Sequence, residues 1–331
     1  MRALILAAGF GTRLGSLSDE RPKPLLPVCD VPVIRYNLAL LEAAGFTEVM
    51  VNLHHRGELL EQELGATSGS LRIHYSREPE ILGTGGGIKQ AAAWLTDGGR
   101  ERFLVLNGKL VIDLDLAGLL AADPAEGAAA TLCVRAVDDP DRWGAVETRG
   151  PRVVRIVGKG ADGPADAKWM FTGVHVLSPE IVARLPEGFS CIVRQGYIPA
   201  LAAGTAIAMH RYDGYFEEHS TPARYLAGNF ALLSGRARLR HPPAALDGAD
   251  ASARVAPGVT LTAPYRIGPG ATVGEGARVG PYAVIGRGAH VAAGAAIERA
   301  VVWPDSTAAG EIRDAIVTPR GVVAVEPDPP R

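Results

Sequence analysis

This chain of 331 residues has few cysteines, a small net charge and few long apolar runs. The three cysteines, Cys29, Cys133 and Cys191, lie far apart without metal-ligand spacing, which favours reduced thiols in a cytoplasmic protein. The net charge is −2 and there is no long basic run, so phosphate-driven binding to nucleic acid is not expected. The first apolar run, in MRALILAAGFGTR, is too short to span a membrane and lacks a signal-peptide cleavage pattern. We therefore expect a cytoplasmic protein that binds neither nucleic acid nor membranes.

The first 235 residues alternate strand-like and helix-like segments. The strand candidates are ALILAA, EVMVNL, LRIHY and FLVLNG, and the helix candidates between them are VPVIRYNLALLEAAG, GELLEQEL and GGGIKQAAAWL. This order predicts a Rossmann-like α/β domain over 1–235, with a parallel sheet between helices. After about residue 125, AATLCVRAV, GAVETR, RVVRIV and WMFTGVHVL follow without helices, so we expect the sheet to become mixed. Further helices are predicted over 191–203 and 222–234.

The region 251–325 has a different period, because branched apolar residues recur every six positions. These are Val255, Leu261, Ile267, Val273, Val279, Ile285, Val291 and Ile297, and Trp303 extends the spacing. Each hexad can form one short strand of a triangular coil, with the apolar residue inward and a glycine at the corner. The repeat resembles the left-handed β-helix of hexapeptide-repeat proteins; the alternative is a disordered Gly/Ala/Pro-rich tail. The polar, proline-rich segment 236–250 is predicted to be the linker.

Two short motifs near the N-terminus suit a phosphate ligand. In LAAGFGTRL, residues 6–14, a predicted strand ends in a glycine turn whose backbone amides and Arg13 can face an anion. It is not the dinucleotide fingerprint, since Leu14 stands where the third glycine belongs, and the chain has no Walker loop. In RPKPLLPV, residues 21–28, three prolines hold Lys23 in an extended segment. Together, G-x-G-T-R-L and P-K-P-L-L-P resemble the signature of the sugar-1-phosphate nucleotidyltransferases, also called nucleotide-sugar pyrophosphorylases.

Other stretches fit the same family, and the resemblance covers residues 1 to about 234. They are LGTGGGI (82–88), LVLNG (104–108), RWGAV (142–146), FTGVHVLSPE (171–180) and GYFEEHSTPARYLAGN (214–229). The C-terminal repeats extend the likeness to the GDP-mannose pyrophosphorylase branch.

The resemblance implies that a sugar 1-phosphate oxygen attacks the α-phosphorus of a nucleoside triphosphate and releases pyrophosphate. Arg13 would hold the triphosphate and Lys23 would bridge the α-phosphate, so that positioning and cations carry the catalysis. The nucleotide-binding residues that it implies are Leu6, Ala8, Gly9, Gly11, Thr12, Arg13, Gly83, Thr84, Gly85 and Gly108. The sugar-phosphate residues that it implies are Gly144, Lys159 and Thr172. Gly158 and Gly160 replace the usual Glu and Pro around Lys159, so a solvated loop lysine is the alternative there.

The family's two metal-binding aspartates are both replaced in this chain. The resemblance implies Mg²⁺ held at positions 109 and 218, which here are Lys109 and Glu218. Two aspartates with Mg²⁺ are neutral in sum, and so is a lysine with a glutamate. We therefore predict that the Lys109 ammonium takes the place of the metal and pairs with Glu218, which makes Mg²⁺ doubtful. The alternative is that Lys109 points to solvent.

Two functions follow from the resemblance. The chain either transfers a nucleotide to a sugar 1-phosphate, with Lys109 as a catalytic cation, or binds a nucleotide or nucleotide-sugar as a regulatory subunit of an active paralogue. The base, guanine or uracil, and the sugar, mannose or an amino sugar, stay open. Acyl transfer, a third function found on hexapeptide coils, has only His290 as a candidate base in the repeats. The coil is expected to assemble a homo-oligomer.

Overall fold

The computed structural model of the chain describes residues 1–123 and 127–326. Its helices are α1 (Ser16–Glu20), α2 (Val33–Ala43), α3 (Gly57–Leu64), α4 (Gly83–Leu95), α5 (Leu116–Ala122), α6 (Pro179–Arg184), α7 (Ile198–Ala202) and α8 (Pro222–Leu233). Short 3₁₀ turns cover Thr12–Leu14, Lys23–Leu25 and Asp141–Trp143, and a π-helical turn covers Ile192–Tyr197. The predicted helices over 191–203 and 222–234 are thus confirmed, although the first begins as the π-helical turn.

The chain forms two compact units, each built from several sequence segments. The sheet unit comprises Met1–Phe10, Asn37–Gly108 and Leu114–Gly214. The coil unit comprises Gly11–Tyr36, Lys109–Asp113 and the chain from Tyr215 onward. The predicted domain limits at 235 and 251 stay a prediction, because these units reflect packing and do not test where a linker lies.

The sheet unit contains an 11-stranded mixed sheet. Its strands are β1 (Arg2–Leu6), β4 (Glu48–Leu53), β5 (Thr67–Ser68), β6 (Leu71–Arg77), β7 (Phe103–Asn107), β9 (Ala130–Arg135), β10 (Val146–Arg149), β11 (Arg152–Ile156), β12 (Lys159–Gly160), β13 (Ala167–Leu177) and β14 (Ile207–Arg211). Their order is β10-β11-β14-β9-β13-β7-β1-β4-β6-β5, with β12 beside β11. β1 is parallel to β4 and β7, whereas β13 is antiparallel to β7 and β9. The predicted change from parallel to mixed pairing is therefore confirmed.

Burial explains why the central strands read as unbroken apolar runs. Leu4, Phe103 and Val105 are fully buried, and they share a core with Ile88 and Leu95 of α4. A strand covered on both faces has no solvent side, so the alternation of apolar and polar residues disappears. The register pairs Leu6 with Asn52 and with Asn107, which brings the carboxyl ends of β1, β4 and β7 to one edge.

The C-terminal coil, residues 248–326, is built mainly from short parallel strands, and its last strand pairs antiparallel with the strand before it. They are β16 (Gly248–Ala249), β17 (Arg254–Val255), β18 (Thr260–Leu261), β19 (Tyr265–Ile267), β20 (Thr272–Val273), β21 (Arg278–Val279), β22 (Ala283–Ile285), β23 (His290–Val291), β24 (Ala296–Val302), β25 (Thr307–Ala308), β26 (Glu311–Thr318) and β27 (Gly321–Ala324). Arg254 pairs with Thr272, which pairs with His290, so three hexads make one turn of the coil. Two-stranded pairs β2 (Pro27–Val28) with β3 (Val31–Pro32), and β8 (Val111–Ile112) with β15 (Phe216–Glu217), complete the coil unit.

The hexad residues point inward as predicted, except at the start of the coil. Ile267, Ile285 and Val291 are fully buried, whereas Val255 is 40% exposed. Val255 lies in β17, whose one strand partner is β20, so no earlier turn covers it within the described residues.

The prediction that Trp303 extends the hexad register was wrong. Ile285 pairs with Val302, not with Trp303, because the spacing between paired residues falls from 18 to 17 at this turn. Trp303 is fully buried in a different cluster, with Tyr225, Phe230 and Val28. Its indole Nε1 donates to the Tyr225 hydroxyl over 3.1 Å, so the indole packs on α8 and not in the coil interior.

Candidate functional site

The glycine turn after β1 lies at the carboxyl edge of the sheet unit. Leu6 is half-buried and Ala8 is buried, while Gly9 is exposed and has open space at the position that a Cβ would occupy. Gly108 follows β7 and donates its N–H to the Leu6 carbonyl over 2.8 Å. Ligands of parallel α/β sheets bind at this edge, so the predicted residues Leu6, Ala8, Gly9 and Gly108 share a position suited to binding.

The glycines of LGTGGGI lie at the start of α4, where neighbouring residues of the protein leave no room for side chains. A Cβ on Gly83 or Gly85 would lie 2.6 Å from an oxygen of Ser190, and one on Gly86 would lie 2.2 Å from the Gly188 carbonyl oxygen. Thr84 is exposed, and its hydroxyl accepts the N–H of Ile192 over 3.1 Å. The motif therefore fits closely against 188–192, and contact of Gly83, Thr84 and Gly85 with a base stays a prediction.

The three predicted sugar-phosphate residues differ in their surroundings. Thr172 is 2% exposed and donates its hydroxyl to the Cys133 carbonyl over 2.8 Å. Gly144 has a left-handed backbone, with φ of 76°, after the turn Asp141–Trp143. Lys159 is exposed and follows a two-residue hairpin turn, since Ile156 pairs with Lys159. Their contacts with a sugar phosphate stay predictions.

The coil unit places three cations in ion pairs with one buried carboxylate, that of Glu218, and a fourth cation, Lys23, lies within reach of its charge. The Lys109 ammonium donates to Glu218 Oε2 over 2.7 Å, and Arg13 Nη2 lies 3.6 Å from Oε1. Arg224, in the first turn of α8, lies 3.5 Å from the same Oε1 and 2.5 Å from Glu217 Oε1. The predicted pairing of Lys109 with Glu218 is confirmed, and the alternative, in which Lys109 points to solvent, is wrong.

The charges within this cluster shift each other's ionisation. Burial raises the pKa of Glu218, but the charge and hydrogen bond of Lys109, together with Ser220 and Arg224, lower that pKa to about 2. Burial lowers the pKa of Lys23 to about 8, and the nearby Lys109 charge adds to this effect. Lys23 is 7% exposed and has no ion-pair partner among residues 1–123 and 127–326. It is therefore a buried ammonium on which Glu218 acts through its charge but not through an ion pair within the described residues.

The glycine turn leads directly into this cluster along the chain. Gly11 has φ of 71°, which favours glycine, and it begins the 3₁₀ turn that carries Thr12 and Arg13. Thr12 is exposed, and the Arg13 side chain is 60% exposed. Both side chains are thus accessible to a ligand from solvent.

Sequence reasoning did not assign two features of these sites. Arg224 bridges Glu217 and Glu218, and the signal for it was a basic residue in the first turn after the predicted start of α8. Asn52 and Glu78 are buried at the sheet edge and bonded to each other over 2.6 Å. An asparagine at the end of an apolar strand, in EVMVNL, was the signal for this pair.

The residues at positions 109 and 218 do not fit a bound Mg²⁺. The ion prefers several oxygen ligands in an octahedral arrangement, but one of the two side chains is a cation and the other is already bonded by it. Arg13, Lys23 and Arg224 add positive charge beside the same carboxylate. No cluster of three or more His, Cys, Asp or Glu suited to a metal occurs in the described part of the chain.

Comparison with known proteins agrees with these features. Residues 2–189 match the family model described as nucleotidyl transferase. This chain belongs to the nucleotidyl transferase family. This match, together with the mannose-1-phosphate guanylyltransferases among the curated relatives, confirms the resemblance to sugar-1-phosphate nucleotidyltransferases of the GDP-mannose pyrophosphorylase type.

Curated relatives of this nucleotidyl transferase family member include mannose-1-phosphate guanylyltransferases. One, from Mycobacterium tuberculosis, is 33% identical over 70% of this chain and 65% of its own length. Another, the catalytic subunit beta from Dictyostelium discoideum, is 30% identical over 69% of this chain and 63% of its own length. The chain therefore spans less than two thirds of the length of these relatives.

Solved structures share the fold. HddC from Yersinia pseudotuberculosis has a TM-score of 0.59 at 23% identity and matches 70% of this chain and 99% of its own. Its complex with GMP-PN has a TM-score of 0.58 at 24% identity over the same shares. Among the described residues, none of the helices is long and apolar enough to cross a bilayer.

Proposed function

We propose that this chain binds a nucleoside triphosphate and a sugar 1-phosphate and joins them into a nucleoside diphosphate sugar. A sugar 1-phosphate oxygen bonds to the α-phosphorus, the bond from that phosphorus to the β-phosphate bridging oxygen breaks, and pyrophosphate leaves. The observation that carries the proposal is the cation cluster of Arg13, Lys23, Lys109 and Arg224 around Glu218. GTP and mannose 1-phosphate are the substrates that we propose, in line with the names of the curated relatives.

The charge of the cluster supports a phosphate ligand. Its four cations face the two carboxylates Glu217 and Glu218, which leaves these side chains with a net charge of +2. The contact of Arg13 to Glu218 is long, at 3.6 Å, so Arg13 can turn toward a phosphate without losing a strong bond, whereas Arg224 stays paired with Glu217 over 2.5 Å. Lys23 forms no ion pair with a carboxylate in the part of the chain that the structure describes, although the Glu218 charge favours its protonated form. The cluster thus supplies cations to the triphosphate, and Lys109 supplies one where the family has its metal.

The second candidate function is a regulatory subunit of an active paralogue that binds a nucleotide or nucleotide-sugar without forming it. The observation that favours it is the same Lys109–Glu218 bond of 2.7 Å. One ammonium gives a single point charge, whereas a divalent ion bridges and orients two phosphates. Replacement of the divalent ion by the Lys109 ammonium would therefore reduce turnover more than it reduces nucleotide binding.

Release of pyrophosphate distinguishes these two functions. The assay would combine GTP, UTP and dTTP with mannose 1-phosphate and an amino-sugar 1-phosphate, with Mg²⁺ present, for the parent and for Lys109→Asp. Robust turnover by the parent supports the transferase. Turnover gained only by Lys109→Asp supports the regulatory subunit. Calorimetric titration of the same triphosphates into both proteins accompanies the assay, and no binding to either protein contradicts both functions.

We further propose that the coil is a left-handed β-helix and forms the contacts of a homo-oligomer. The pairing of residues 18 positions apart, with buried branched residues at each hexad, supports the β-helix. A cytoplasmic location is supported by Cys29, Cys133 and Cys191, which form no disulfide within the described residues.

A further inference from the structure

Two polar side chains are buried where the strands of the sheet unit end. Asn52 is 2% exposed and lies opposite Leu6 in the register of β4 with β1. Glu78 is 4% exposed and follows β6. Buried amide and carboxylate groups are costly unless their hydrogen bonds are made, so their partners explain their presence.

Their hydrogen bonds form a chain between two glycine-bearing segments. The N–H of Ala7, two residues before Gly9, donates to Asn52 Oδ1 over 2.6 Å. Asn52 Nδ2 donates to Glu78 Oε1 over 2.6 Å, and the N–H of Leu82 donates to Glu78 Oε2 over 2.9 Å. Leu82 caps the start of α4, so the chain links the turn after β1 to the start of LGTGGGI.

The surroundings hold Glu78 in this position. Its N–H donates to the Leu53 carbonyl over 2.8 Å, and its own carbonyl bonds His54 Nδ1 over 2.8 Å. A Cβ on Gly87 would lie 2.7 Å from Glu78 Oε1 and 2.8 Å from Asn52 Nδ2. The last glycine of LGTGGGI therefore makes room for the bridge, which gives that residue a role apart from any ligand.

We propose that Asn52 and Glu78 are positioning residues that fix the glycine turn after β1 relative to the start of α4, and thereby set the affinity for nucleotide. The inference rests on the proposed function, because it takes these two segments to be nucleotide-binding. Neither side chain needs to touch the nucleotide. The affinity for nucleotide depends on the polarity of the bridge, that is, on which group donates and which accepts in each hydrogen bond. Asn52 both accepts and donates, whereas Glu78 only accepts.

Isosteric substitutions test this polarity without changing side-chain size. In Glu78→Gln a single oxygen faces two donors, so either Asn52 Nδ2 or the Leu82 N–H loses its acceptor. In Asn52→Asp two carboxylates face each other. In the double variant Asn52→Asp/Glu78→Gln, one oxygen of the new carboxylate accepts from the Ala7 N–H and the other accepts from the amide nitrogen of the new glutamine. The amide oxygen of that glutamine accepts from the Leu82 N–H. The double variant therefore restores every bond of the bridge with the central bond reversed.

The experiment measures GTP affinity by calorimetry, with Mg²⁺ in every titration, and the melting temperature of each variant. We expect each single variant to bind GTP about tenfold more weakly than the parent, and the double variant to return to within about threefold of it. Asp123→Asn is the matched control, because Asp123 is a 1% exposed carboxylate that accepts two 2.6 Å bonds from Arg102 elsewhere in the sheet unit. It should lower the melting temperature and leave GTP affinity unchanged.

The outcomes separate this inference from the proposed function. If the parent binds GTP and both single variants bind it with the same affinity, the inference is overturned but the proposed function is not. A loss in the single variants that the double variant does not recover also overturns it, as does an equal loss in Asp123→Asn. If a single variant does not fold, recovery of folding and GTP binding by the double variant still supports the bridge. A parent that binds no GTP, UTP or dTTP overturns the inference together with the proposed function.

Discussion

Lys109 and Glu218 show how much of a site can be predicted from two substituted residues. Comparing their charges with those of two aspartates and a metal predicted the ion pair, which the structure has at 2.7 Å. The bridging position of Arg224 could not be predicted in the same way, because it depends on where α8 begins. Its first turn places the guanidinium between Glu217 and Glu218, a placement that sequence separation does not specify.

Loss of the Lys109 ammonium should weaken phosphate binding. We expect Lys109→Met to bind GTP about tenfold more weakly, because a charged hydrogen-bond donor to the phosphates is removed. Calorimetric titration measures this, and Lys168→Met is the control, since Lys168 forms an exposed 2.8 Å ion pair with Asp141 in the sheet unit. Equal affinities of Lys109→Met and the parent would contradict a phosphate-binding role for Lys109.

Titration of Lys23 should make GTP binding sensitive to alkaline pH. Burial places its pKa at about 8, so the side chain is a cation below that pH and neutral above it. The neighbours facing it are Lys109, Arg13 and Arg224, which favour the neutral form, and Glu218, which favours the cation. Affinity should fall as the pH rises from about 7 to about 9, and Lys23→Arg should abolish most of this dependence. A pH profile that is the same in both proteins would contradict the assignment.

At the scale of elements, periodicity predicted the strands and helices well where one period held. α3 and the helix beginning in LGTGGGI follow the predicted segments, and the hexads follow the coil as far as Ile297. The register then changes, with Ala296 paired to Glu311 only 15 positions later. A fixed period cannot show such a change, so Trp303 was placed in the coil interior instead of against α8.

Hexad residues of the same type should differ in cost according to their place in the coil. Val291→Ala removes a fully buried side chain and should lower the free energy of unfolding by about 2 kcal/mol. Val255→Ala, at the same hexad position but 40% exposed, should cost less than about 0.5 kcal/mol. Urea denaturation of both variants measures the difference, and equal costs would contradict the inward packing of the later turns.

The contact between α8 and the coil depends on the Tyr225 hydroxyl. It donates to the Pro27 carbonyl and accepts from Trp303 Nε1, and all three groups are buried. Tyr225→Phe leaves both partners unsatisfied and should cost about 2 kcal/mol. Tyr36→Phe, which loses only one buried bond to the Val28 carbonyl, is the control and should cost less. A thermal shift for Tyr225→Phe no larger than that for Tyr36→Phe would count against this contact.

At the scale of the whole molecule, composition and length predicted two structural parts but not how the chain divides between them. The segment Gly11–Tyr36 and helix α8 pack with the coil, since Val28, Tyr225, Phe230 and Trp303 share one core. Contacts between residues some 200 to 280 positions apart leave no local sequence signal. In the sequence, the glycine turn and RPKPLLPV appear as one N-terminal motif. In the structure, the boundary between the two compact units falls after Phe10, within the glycine turn.

Removal of the coil should therefore destabilise the segment that carries Lys23. We expect a chain truncated after residue 240 to aggregate or to bind a hydrophobic dye, because it exposes the core around Tyr225 and Phe230. Soluble yield and dye fluorescence measure this. A truncated chain that stays soluble, folded and dye-free would show that the coil contributes little to this core.

The metal dependence of nucleotide binding tests the central claim most directly. GTP would be titrated into the parent and into Lys109→Asp, each with Mg²⁺ and each with a chelator. The account predicts that the parent binds with affinities within about threefold of each other in the two conditions, whereas Lys109→Asp binds well only with Mg²⁺. A parent that binds GTP only when Mg²⁺ is present would contradict it.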